Sequence, residues 1–132
     1  MIREKYMPIN RERITNLLLF YFGGLCMKEN AFQQNLIKEI KERFPGSIVM
    51  KNDSSYIQGI PDLTILYGSK WAALEVKKDS KASHQPNQDY YVNKMDNMSY
   101  AKFICPENKK EILDELERAL EPKGQTCFFG GK

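Results

Sequence analysis

The chain has 132 residues, 42% hydrophobic and 28% charged, with a formal net charge of +3. This length suits one domain, and the balance excludes the disordered and fibrous classes. A mildly basic charge permits a polyanionic partner without requiring one.

In chain order, Asn10 can cap a first helix of about twelve residues, ended by Gly23-Gly24. Its run Leu17-Leu18-Leu19-Phe20-Tyr21-Phe22 is the only membrane-like stretch. It falls far short of the ~20 apolar residues that a spanning helix needs. The acids Glu4 and Glu12, and the lack of a small-x-small site downstream, argue against a signal peptide. Gly23-Gly24-Leu25-Cys26 also lacks the residue order of a lipoprotein signal. The expectation is a helix that buries its apolar side on the core or on a second subunit, with no membrane partner. Cys26, Cys105 and Cys127 are odd in number and widely spaced. They form no zinc or disulfide pattern, which suits reduced thiols in a cytoplasmic protein.

A second helix is expected over 28–44, with Phe32, Leu36, Ile37, Ile40 and Phe44 at helical spacing and Pro45-Gly46 as its stop. A short strand at 47–50 leads into a polar loop over 52–59. Strands follow at 62–67 and 71–77, joined by Gly68-Ser69, a pair suited to a two-residue type II′ bend with Gly first. Pro86 opens a third helix to about 97. A strand covers 100–105. Pro106 then opens a last helix through 120, with Ile112, Leu113, Leu116 and Leu120 as its buried stripe, and the tail from Pro122 frays. The predicted order is α-α-β-β-β-α-β-α, an α/β fold with a small mixed sheet flanked by helices. Its divisions are an N-terminal helical extension (1–25), a main domain (26–121) and a tail (122–132).

The hairpin carries the chemistry. A bend at Gly68-Ser69 sets Tyr67 opposite Lys70 and, counting outward along both strands, Asp62 opposite Glu75 on one face. Lys77, two residues beyond Glu75, projects from that face as well. Two carboxylates side by side repel, and a divalent cation between them would remove the conflict. Such a cation can polarise a phosphodiester and activate water, with Lys77 offsetting charge on the transition state. The bland alternative is a solvated Glu-x-Lys strand end with a cross-strand ion pair. Ala72, Ala73, Leu74 and Val76 make the strand look buried, and buried acids need partners.

Gly59-Ile60-Pro61-Asp62-Leu63, a hairpin, then Leu74-Glu75-Val76-Lys77 resembles the signature of the PD-(D/E)XK nuclease superfamily, closest to VRR-NUC-type and phage-encoded endonucleases. Glu29 stands where these nucleases tend to place an early helical Glu, and Gln88 where they tend to carry a Gln after the Glu-x-Lys strand. The resemblance spans about 28–120 and implies a restriction-endonuclease-like αβββαβ core, with the extra N-terminal helix outside it. It further implies that Asp62 and Glu75 bind Mg²⁺ or Mn²⁺, with the Val76 carbonyl completing the shell and Lys77 serving the nucleophilic water. Glu29 would ligate a second cation or hydrate the first, and Gln88 would steady Lys77 or a phosphate. Each has a plainer reading: Glu29 as helix N-terminal charge, or just outside a helix capped by Asn30, and Gln88 as a first-turn polar residue. Lys51, Lys78, Lys81 and His84 are candidates for a basic rim, and Tyr56 for contact with a sugar or base; each alone also suits ordinary surface.

The expected function is metal-dependent hydrolysis of DNA phosphodiester bonds by metal-activated water attack, on duplex or branched DNA. A homodimer would suit a small domain that cuts two strands. For a phage-encoded chain the location would be the host cytoplasm, or association with the virion. The rival is a catalytically inactive nucleic-acid-binding or virion-structural protein that keeps the nuclease fold.

Overall fold

The first described helix, α1, spans Leu25–Arg43, and its Leu36 and Ile40, with Phe44 just beyond, fall on one side and are buried. The computed structural model describes residues 25–121. The expected N-terminal helix and the tail lie outside them. Strand β1 (Ile48–Lys51) follows, then β2 (Leu63–Tyr67) and β3 (Lys70–Val76). Helix α2 covers Pro86–Met98, β4 Tyr100–Ile104, and α3 Lys109–Leu120. The architecture is α/β, a mixed four-stranded sheet in the order β1-β2-β3-β4 with three described helices. Strand β2 runs antiparallel to both β1 and β3, and β4 lies parallel to β3 after the α2 crossover.

The bend between β2 and β3 has Gly68 at φ +60° and no other residue at positive φ, as a II′ turn requires. Pairing of Tyr67 with Lys70 and Leu63 with Leu74 matches the register expected from the sequence. The last helix starts three residues later than Pro106 suggested. Asn108 folds back to accept the Cys105 N–H on its Oδ1 at 2.8 Å, which makes 106–108 a turn.

Side-chain parity divides the sheet into two faces. Leu63, Ile65, Ala72, Leu74, Val76, Tyr100 and Ile104 pack on one face against Leu36 and Ile40 of α1 and Ile112, Leu113, Leu116 and Leu120 of α3. Ala73 and Ala101 pack on the other, against Val92 of α2, with Trp71, Met95 and Phe103 beside them. Small alanines on that face let α2 approach closely. On the surface, Arg43 pairs with Asp114 and Glu117 at 3.4 Å each, and Lys109 with Glu39 at 2.9 Å. Such exposed pairs contribute about 0–1 kcal/mol each. No described helix is long and apolar enough to cross a membrane.

The loop between β1 and β2 rests on the first turn of α2 at Gly59. Its φ is +90°, and a Cβ there would stand 2.6 Å from the Asn87 carbonyl carbon. Backbone strain and steric exclusion therefore act together. Gly68 also has positive φ, yet a Cβ there meets nothing within 4 Å. Gly59→Ala is expected to destabilise the protein by about 2–4 kcal/mol and Gly68→Ala by about 1 kcal/mol, read by thermal or denaturant unfolding. Equal losses at both positions would remove the packing contribution.

Candidate active site

Glu75 leaves the middle strand on the α2 side of the sheet and is 3% exposed; Lys77, two residues on, is 8% exposed. Asp62 lies one residue before β2, half-buried, held by two partners of the strand end. Its N–H donates to Glu75 Oε2 at 3.2 Å, and its Oδ2 accepts the Val76 N–H at 2.9 Å. The Val76 carbonyl leaves the same edge of the strand as that N–H and so also faces Asp62.

Gln88, in the first turn of α2, joins Glu75 of β3 to Lys77 just beyond the strand's end. Its Nε2 donates to Glu75 Oε1 at 2.6 Å. Its Oε1 accepts from Lys77 Nζ at 2.7 Å and from the Gln85 N–H at 3.0 Å. Reversing the amide would set its NH₂ against an ammonium and an N–H, so only one orientation satisfies every partner. Lys77 Nζ also lies 3.6 Å from Glu75 Oε1.

Burial, then the neighbouring Asp62 charge, push the Glu75 carboxyl up to about 8, with Lys77 opposing. Burial likewise raises Asp62, against the pull of the Val76 N–H and of Lys77. Glu29 is raised by burial and by Asp62, and lowered by Lys77 and a backbone hydrogen bond from Lys78. Glu29 therefore reaches this end of the sheet. Helix α1 begins at Leu25, so Glu29 sits inside it, one turn from its start, rather than outside a helix capped by Asn30. The Asp62 charge raises both Glu29 and Glu75, and the Lys77 ammonium lowers all three acids.

Of the other residues singled out in the sequence, Lys78 reaches the site through its backbone hydrogen bond to Glu29. Lys51 pairs with Leu63 and shares its face, opposite the face where Glu75 meets Gln88. Lys78 follows Lys77 and is half-buried, and Lys81 is exposed in the next turn. The His84 ring stacks on Phe103 at 3.8 Å, and its Nδ1 lies 3.0 Å from Asp89 Oδ1. A carboxylate beside that imidazole makes it a poorer phosphate contact than the sequence suggested. Tyr56 is 85% exposed on the loop between β1 and β2.

Sequence reasoning missed Asn52. Its Nδ2 donates to the Pro61 carbonyl at 2.7 Å and to Thr64 Oγ1 at 2.8 Å, while its N–H donates to the Asp62 carbonyl at 2.8 Å. Asn52 thereby fixes the backbone that presents Asp62. The signal lay only in the β1–β2 register, which sets Asn52 opposite Asp62.

The donor set suits a hard divalent cation. No three His, Cys, Asp or Glu side chains among the described residues form a ready ligand group. Two carboxylates are nonetheless a common protein share for Mg²⁺, with water and phosphate oxygens completing its shell. Asp62 and Glu75 would hold it, with the Val76 carbonyl beside them and Glu29 near enough to feel the Asp62 charge.

Between the ordinary value of 4.5 and about 8, Glu75 holds its proton in the folded state and loses it in the unfolded state. The native state then binds more protons, so stability falls as pH rises through that window. Without divalent cations, the melting temperature is expected to drop from about pH 5 to about pH 8, and Glu75→Gln should flatten the slope. An unchanged slope in the variant would assign the effect to another group.

Comparison with protein-family models, curated proteins and solved structures returned no match.

Proposed function

We propose that this protein is a metal-dependent nuclease with a restriction-endonuclease-like core, hydrolysing DNA phosphodiester bonds. One observation carries the reading: a half-buried Asp62 and a buried Glu75 meet across a tight bend beside a buried Lys77, and Gln88 clamps Glu75 to Lys77. Burial raises both carboxyls, and the Asp62 charge adds to it at Glu75, a pattern more frequent at functional sites than elsewhere. Element order and the Pro61-Asp62 … Glu75-Val76-Lys77 spacing agree with the PD-(D/E)XK resemblance.

A bound Mg²⁺ or Mn²⁺ would supply Lewis acidity toward the phosphate and a water of lowered pKa. The chain's own contribution is positioning and charge. Asp62 is locked by the Val76 N–H, so its second oxygen keeps a fixed direction. The Lys77 ammonium, anchored on Gln88 Oε1, retains donors for the attacking water and for the charge that grows on the phosphoryl oxygens. In the hydrolysis, the water oxygen bonds to phosphorus while the P–O bond to the departing sugar breaks and that oxygen takes a proton. Gln88 acts through Lys77 and Glu75, so it is a positioning residue.

Supercoiled and branched DNA should be cut in Mg²⁺ and left intact in EDTA. Asp62→Asn and Lys77→Met should each lower the rate by about a hundredfold or more with the fold retained by circular dichroism. Salt-sensitive binding to DNA with no cutting on any substrate would instead identify a non-catalytic binding module on this fold.

A further inference from the structure

An open cleft of about 540 Å³ borders Gln88. Ser54, Gln58 and Gly59 form one wall and Gln85, Pro86 and Asn87 the other, with Gln88 shared with the catalytic set. The size falls within the range of small-ligand sites, about 300–1,000 Å³. The two walls are held together by the Gly59–Asn87 approach, which leaves no room for a side chain at 59.

The chemistry of this lining differs from that of a phosphate site. None of its residues is charged. Phosphate contacts draw on Lys, Arg and other donors, whereas base edges present donors and acceptors side by side. Carboxamides match that pattern, since each offers an NH₂ donor next to a carbonyl acceptor. Among the described residues, the side chains of Ser54, Gln58 and Asn87 have no hydrogen-bond partner, so their capacity is available to a ligand. Gln88 differs: its amide is already engaged by Glu75, Lys77 and Gln85.

We infer that this cleft receives an unpaired nucleobase adjacent to the scissile phosphate, with Gln58 and Asn87 hydrogen-bonding its edge. The inference rests on the nuclease reading of the neighbouring carboxylates. A base inside a duplex is stacked and its pairing edge is occupied, so it cannot enter a side cleft without leaving the helix. DNA with at least one unpaired nucleotide at the point of cutting avoids the cost of unstacking and is the favoured substrate. This assigns the loop between β1 and β2 to substrate selection and the β3 end to chemistry.

The test uses the full chain and a fluorescent single-stranded oligonucleotide, together with a series in which an abasic residue replaces each nucleotide in turn. Binding is read by anisotropy in Ca²⁺, and cutting is mapped separately in Mg²⁺. In the wild type, an abasic residue at one position should weaken binding about tenfold, the scale of one amide–base contact. The double variant Gln58→Ala, Asn87→Ala should bind intact and abasic strands alike. Alanine keeps the Asn87 Cβ that packs on Gly59, and unchanged melting would verify the fold. Equal affinity for every abasic strand in the wild type, or retained position dependence in the double variant, overturns the inference. Position-dependent binding without cutting supports the cleft as a base site and removes the nuclease reading. Cutting without any abasic effect does the reverse, and no binding to any strand removes both.

Discussion

Two acids held in register under burial are the constraint around which this end of the molecule is organised. Left alone, Asp62 and Glu75 would repel and lose hydration together, a cost that only hydrogen bonds or counter-charge can offset. Three of their oxygens have partners: Glu75 Oε2 takes the Asp62 N–H, Glu75 Oε1 takes the Gln88 amide, and Asp62 Oδ2 takes the Val76 N–H. These partners fix direction as well as charge and leave Asp62 Oδ1 as the oxygen without one of them. The remaining electrostatic stress appears in the raised Glu75 and Asp62 carboxyls, which a cation would relieve.

The fold supplies one of those partners, Gln88, through the crossover. Because β4 is parallel to β3, the chain must cross over between them, and α2 is the crossover element. Packing of Val92 on Ala73 and Ala101 sets the height of α2 over the sheet. Gly59 against Asn87 ties its first turn to the loop that ends in Asp62. Gln88 is thus placed by two contacts at a distance from it, and through it the Lys77 ammonium is kept near Glu75. The opposite face of the sheet carries most of the apolar core, which leaves the α2 face free to hold polar groups at its end.

Around this centre the positive residues do not form one continuous rim. Lys51 belongs to the other sheet face, and His84 is turned toward Asp89 and Phe103. Neutral amides instead occupy the adjacent cleft. Groove chemistry and site chemistry are therefore carried by different segments, the β1–β2 loop with the α2 start, and the β3 end.

Local pattern alone determined the element types from 25 to 121, the hairpin and the pairing of residue 62 with residue 75. Those depend on period, on the Gly68-Ser69 bend and on the strict two-residue alternation of strands, all of which are short-range. Element ends were less legible, as at 106–108, where Asn108 preferred a turn to the helix that Pro106 suggested. Only the tertiary structure decided that Gln88 bridges Lys77 and Glu75, that Asn52 holds the Asp62 backbone, that Glu29 lies inside α1, and that Lys51 points away. Each of these depends on the strand order, on the crossover or on which face a helix covers. Such long-range placements follow from packing free energy summed over the whole core, and no window of sequence contains that sum.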